Sequence, residues 1–200
     1  MGLFDFFKQE EPKDVIDLDH ELAKIIAIYE TYPEFPVMSE ERNVDEWLKT
    51  IANGTGKIVP KESMIRNDDG LLPGEVILLD WVNKKDATTA TFPDFFEMEL
   101  GIDPVERTNQ LLFADYLDIL NDTSVLDYWS LNQLNEVLED NGLNKCDTKD
   151  QALDWLNKEF TTDYIANMID PGVYILMDKG QAIVEKYADF IHAYLDTPPE

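Results

Sequence analysis

Asp17, His20 and Glu21 fall at i, i+3 and i+4 of a helically periodic stretch, a spacing that sets three metal-competent side chains on one face. A chain with 42 acidic residues produces such triplets by chance, and the other histidine, His192, is far away in sequence. The face is read as solvated, and no metal ligand is assigned. "NGTGK" at residues 53–57 has the look of a phosphate loop, which needs Gly, four residues, then Gly-Lys-Ser/Thr. Ile51 stands where the first Gly belongs and Ile58 where the hydroxyl belongs. "NDDG" at residues 67–70 lacks the ligand positions of a calcium loop and is read as a turn. Cys146 has no histidine near it, and no Gly-x-Ser-x-Gly elbow exists. Paired carboxylates are too abundant to be informative. The chain is read as non-catalytic, with no cofactor and no small-molecule substrate.

The elements that must carry any site lie in a strongly acidic chain. Its 200 residues hold 16 basic side chains against those 42 acids, a formal charge of −26, with 44% hydrophobic residues. That apolar content is ordinary for a folded protein. The charge repels polyanions and anionic membranes, and it attracts cations. A single cysteine allows no intrachain disulfide and fits a reducing cytoplasm. The start, "MGLFDFFKQEEPKD", lacks the basic and apolar regions of a signal peptide; its first residues are expected to be loosely docked or to meet a partner. The longest apolar run, "EVILLDWV", is far below the ~20 residues that cross a bilayer. A soluble, cytoplasmic protein without membrane association is expected.

Hydrophobic periodicity predicts a mainly α fold. Val15, Leu18, Leu22, Ile25, Ile26 and Tyr29 line a first helix, and Asn43 with Glu46 opens a second that ends at Asn53-Gly54. A loop follows, with a short strand expected at residues 57–59. "PGEVILLDWV", a two-turn "FPDFFEMELG" and "PVERTNQLLFADYL" then form three helices of helix-turn-helix proportions. "LDIL" is extended, and its matching segment, "VYILM", comes only at residues 173–177, before one closing helix. The division is residues 1–56 as a helical pair, 57–122 with 170–200 as a core, and 123–169 as an insert.

"VYILMDKG" resembles the returning strand of a winged-helix domain, with the insert standing where the wing would be. An all-helical array with a minor hairpin is the other reading. Within the insert, Leu131, Leu134, Val137 and Leu138 form one helix face, Gly142-Leu143 a bend, and Thr148 caps a second helix bearing Ala152, Leu153, Leu156 and Phe160. Residues 129–156 thereby resemble the SAP domain, a helix-extended-helix module usually associated with DNA. The family's Gly before the second helix is Asp147 here, its large central aliphatic Ala152, and its late basic residue Trp155. Over residues 123–160 three lysines meet eight carboxylates, a balance of −5. Phosphate contacts need cations. The resemblance therefore implies the scaffold, with Lys145 and Lys149 as the residues to contact DNA if DNA is bound. The favoured expectation is an interaction or adaptor protein for a neutral or basic partner protein. Tyr128, Trp129 and Trp155 are its candidate interface anchors, or else core residues. A DNA-binding protein and an acidic DNA mimic are the rival expectations.

Overall fold

The computed structural model describes residues 17–37, 43–85, 87, 91–169 and 172–195; the expectations for residues 1–7 and Val15 fall outside these. Helices dominate the described residues, with one two-stranded antiparallel sheet, as the periodicity predicts. Asp17 starts α1 (Leu18–Tyr29) by accepting the His20 N–H, and Asn43 starts α2 (Val44–Ala52) by accepting the Glu46 N–H at 3.1 Å. Ile25, Tyr29, Trp47 and Leu48 from this pair are buried in one cluster with Val76, Ile77 and Leu79 of α3 (Pro73–Val82). The helical pair thus shares its core with the elements that follow.

No strand forms at residues 57–59, because tyrosines answer the Val59 backbone instead. Its N–H donates to Tyr29 Oη at 3.0 Å, and its carbonyl accepts from Tyr32 Oη at 2.9 Å. Both polar groups of the peptide are satisfied without a neighbouring strand. The α3 helix opens with Pro73 at its first position and is buried on nearly every side, packed on four later elements introduced below. The expected two-turn helix is the single turn α4 (Phe95–Met98). Its Phe95 carbonyl accepts both the Glu99 and Leu100 N–H groups, and Gly101 at φ 65° turns the chain away. Asp103 then caps α5 (Pro104–Phe113), its carboxylate accepting the Val105 and Glu106 N–H groups.

After α5 come β1 (Leu117–Leu120), a 3-10 turn (Thr123–Tyr128), α6 (Leu131–Asp140), α7 (Lys149–Glu159), α8 (Thr162–Ile169) and β2 (Val173–Leu176). The strands pair antiparallel, Leu117 opposite Leu176 and Leu120 opposite Val173. Alternation along this ribbon divides two cores. Leu117, Tyr174 and Leu176 belong to the cluster around α3, whereas Leu120, Val173 and Ile175 join a second cluster whose other members come from residues 125–169. The free edge of β2 is covered by the loop after α3: Lys84 N–H donates to Tyr174 O at 2.7 Å, and Tyr174 N–H to Lys85 O at 2.9 Å.

The closing helix is broken into α9 (Asp178–Lys186) and α10 (Ala188–Leu195). Tyr187 sits at the joint and donates its hydroxyl to Asp69 Oδ2 at 2.7 Å, with Lys186 on the same carboxylate. A long-range bond to the loop before α3 fixes this break. The α3 helix packs on α5, β2, α9 and α10.

Candidate functional site

The insert is built from local chemistry. Ser130 caps α6 in a reciprocal box with Gln133, and Thr148 caps α7 through the Gln151 N–H. Gly142 at φ 76° ends α6, and Leu143, whose N–H donates to Leu138 O at 2.8 Å, turns back toward the insert core. Leu134, Leu138, Ala152 and Leu156 meet there with no measurable exposure. The extended link between the helices is pinned by Asn135. Its Oδ1 accepts the Cys146 N–H at 2.8 Å, and its Nδ2 donates to the Cys146 carbonyl at 3.0 Å. Sequence reasoning passed over this residue; a polar side chain inside a leucine face was the signal.

Two further elements close this core. The 3-10 turn contributes Val125 and Leu126, and α8 contributes Ile165 and Ile169. Short paired helices cannot hide their apolar faces from each other alone, so neighbouring segments cover the remainder. The i, i+4 spacing of Ile165 and Ile169 carried the signal for α8.

The insert's lysines are engaged by neighbours. Lys145 Nζ lies 3.0 Å from Glu139 Oε2. Lys149 Nζ donates to the Asp127 carbonyl at 2.6 Å, tying α7 to the 3-10 turn. Lys158 Nζ lies 4.7 Å from the Trp155 ring centre and 3.5 Å from Glu159. Lys145 and Lys149 thus reach different partners and form no joint anion cradle. On α5, the one basic residue is Arg107, whose Nη1 lies 3.2 Å from Glu75 Oε1 on α3. That guanidinium is largely enclosed, with 15% of its side chain exposed.

The three candidate aromatics separate. Trp129 packs against the insert core, while Tyr128 and Trp155 keep 42% and 44% of their surface exposed. Tyr164 on α8 is a further exposed ring, its hydroxyl donating to Asn141 Oδ1 at 2.9 Å. Trp155 borders a shallow depression of about 330 Å³ whose other walls are residues 142–146. The volume is at the low end for a ligand pocket and would admit one large side chain of a partner.

The motifs set aside at the outset have structural occupations. Asp17 is a helix cap and Glu21 pairs with Lys24 at 2.7 Å. Among the described residues no group of three or more His, Cys, Asp or Glu is placed to hold a metal. In residues 53–57, the Gly54 N–H donates to Ile51 O, and the Thr55 and Gly56 N–H groups both donate to Thr50 O. The amides a phosphate would need are spent on a helix C-terminus. Asn67 Oδ1 accepts from the Asp69 and Leu71 N–H groups, making residues 67–70 a side-chain-stabilised turn. Among the described residues no helix is long and apolar enough to cross a membrane.

No protein-family model, curated protein or solved structure matches the chain.

Proposed function

We propose that this is a non-catalytic interaction protein, an adaptor or regulatory binding protein, whose SAP-like insert engages a protein partner instead of DNA. The observation that carries this reading is the insert's surface: Tyr128 and Trp155 are half-exposed while Lys145 and Lys149 are held by Glu139 and the Asp127 carbonyl. Non-specific DNA affinity arises from phosphates neutralised by Lys and Arg, and here those cations are few and already engaged. Exposed Trp and Tyr are the side chains that anchor protein interfaces most often. A field set by −26 favours a neutral or basic partner and hastens encounter with it. A cytoplasmic location belongs to the same reading, resting on one unpaired cysteine in the chain.

The test is fluorescence anisotropy of a labelled DNA duplex and a labelled single strand, at low and then physiological salt. No binding at either salt is expected. Micromolar binding that fades as salt rises, and falls again on Lys145→Ala and Lys149→Ala, would overturn the adaptor reading in favour of DNA. In parallel, a photo-crosslinker at position 155 should capture a protein that then binds purified chain more weakly after Trp155→Ala.

A further inference from the structure

An asparagine followed by glycine can lose its side-chain amide to attack by the glycine's own backbone nitrogen, since no side chain on glycine obstructs the approach. The chain has two such pairs, Asn53-Gly54 after α2 and Asn141-Gly142 after α6. Their backbones match closely. Asn53 lies at φ −83° and ψ −2°, Asn141 at φ −99° and ψ 13°, and the glycines follow at φ 72° and 76°. The Gly54 N–H donates to Ile51 O and the Gly142 N–H to Glu139 O, both at 2.9 Å. All four residues are exposed. Backbone geometry and solvent access therefore give neither pair an advantage.

The side chains differ. Asn141 Nδ2 donates to Val137 O at 2.9 Å, and its Oδ1 accepts from Tyr164 Oη at 2.9 Å. Among the described residues, the Asn53 side-chain amide makes no hydrogen bond. The chain beyond each glycine differs as well. Leu143 packs on the insert core directly after Gly142, and its N–H is held by Leu138 O. After Gly54, Thr55 is exposed, and the next apolar side chain packed on a core is Ile58. Segments with few buried apolar contacts open locally at low free energy. Such opening matters here, because at ψ near zero the glycine nitrogen eclipses the asparagine's own nitrogen and not its Cβ. The ring that the attack forms requires a rotation about ψ.

We propose that Asn53 is the first site of spontaneous deamidation in this protein, and that Tyr164 and Val137 shield Asn141 from the same reaction. The Gly54 nitrogen gives up its proton and bonds to Asn53 Cγ, the side-chain nitrogen leaves as ammonia, and a succinimide ring remains. Water then opens the ring at either carbonyl, leaving aspartate or isoaspartate. The net change is amide plus water to carboxylate plus ammonium, with no change of oxidation state. Isoaspartate lengthens the main chain by a methylene at the end of α2, where the Thr55 and Gly56 N–H groups both donate to Thr50 O. The new carboxylate also stands at the negative end of the helix dipole. Since α2 carries the buried Trp47 and Leu48, the product should hold that helix less firmly. The shielded turn is the one whose Gly142 borders the depression beside Trp155, so the chemistry spares the insert and falls on the core.

The test is peptide mapping by mass spectrometry of the purified full-length chain during incubation in mildly alkaline buffer, with the guanidinium-unfolded chain as control. In the folded chain Asn53 should convert at least about fivefold faster than Asn141, the factor that one net hydrogen bond supplies. In the unfolded chain the two should convert at similar rates. Tyr164→Phe, which keeps the ring and removes the hydroxyl, should raise the Asn141 rate and leave the Asn53 rate unchanged. Asn53→Gln should remove the more acidic species that appears first on native isoelectric focusing. Equal rates at the two sites in the folded chain, or a faster Asn141, overturns the proposal. So does a folded chain that stays intact at Asn53 while the unfolded chain reacts. An Asn141 rate indifferent to Tyr164→Phe overturns the shielding.

Discussion

Arg107 and Glu75 meet at 3.2 Å between α5 and α3, and the Glu75 side chain is almost wholly enclosed there. Glu75 also accepts the Leu72 N–H at 2.8 Å and lies 3.3 Å from Arg66, which in turn reaches Glu34. The pair ties the start of the central helix to α5 and removes the only base on α5 from the surface.

Removing one partner of a buried ion pair leaves the other charge stranded. Glu75→Ala should cost about 3 kcal/mol, with the urea midpoint falling while the slope of the transition holds. A loss below about 1 kcal/mol would show that solvent reaches the two arginines and that the pair behaves as a surface bridge.

Asn135 makes two hydrogen bonds to one peptide group, and its replacement leaves the Cys146 N–H and carbonyl without them. Asn135→Ala should lower stability by about 2 kcal/mol, a fall of several degrees in thermal midpoint for a chain of this size. If the midpoint is unmoved, water replaces the amide and the link between α6 and α7 is held by Leu143 and its neighbours alone.

Burial, then the hydrogen bond to Glu99, raises the Tyr194 phenol well above its ordinary value, so the fold favours the neutral form. That contribution is complete below the unfolded value of about 10 and is lost as pH rises from there through the folded value. The urea midpoint of the wild type should therefore drop between pH 9 and pH 11, and Tyr194→Phe should flatten part of that drop. Tyr29, also raised by burial, supplies a further share. Identical slopes for wild type and Tyr194→Phe would assign the alkaline loss elsewhere.

Glycine matters for different reasons at two positions. A Cβ on Gly142 meets nothing within 4 Å, so Gly142→Ala carries only the cost of its φ of 76°, about 1 kcal/mol. A Cβ on Gly180 would sit 2.2 Å from the Tyr116 carbonyl oxygen, where backbone must move. Gly180→Ala should be clearly the more destabilising of the two in thermal melts, and the reverse order would show that α9 slides freely over β1.

Features written in a few consecutive residues were legible. Asn43, Asp103, Ser130 and Thr148 announce helix starts because a cap is a bond to a residue two or three positions on. "LDIL" and "VYIL" pair as their apolar character suggests. What escaped depends on distant partners: Val59 answered by tyrosines about thirty residues away, the closing helix broken where Tyr187 reaches Asp69. The site was legible in type but not in orientation. Trp129 and Trp155 read alike in sequence, and only the packing sets one partly buried against the insert core and leaves the other 44% exposed.

The ribbon of β1 and β2 has a calorimetric consequence. Tyr174 and Leu176 serve one core while Val173 and Ile175, alternating with them on the same four-residue strand, serve the other. Neither lobe can release its wall without exposing the wall of its neighbour. Two separately packed interiors should therefore melt as a single cooperative peak, with van't Hoff and calorimetric enthalpies in agreement.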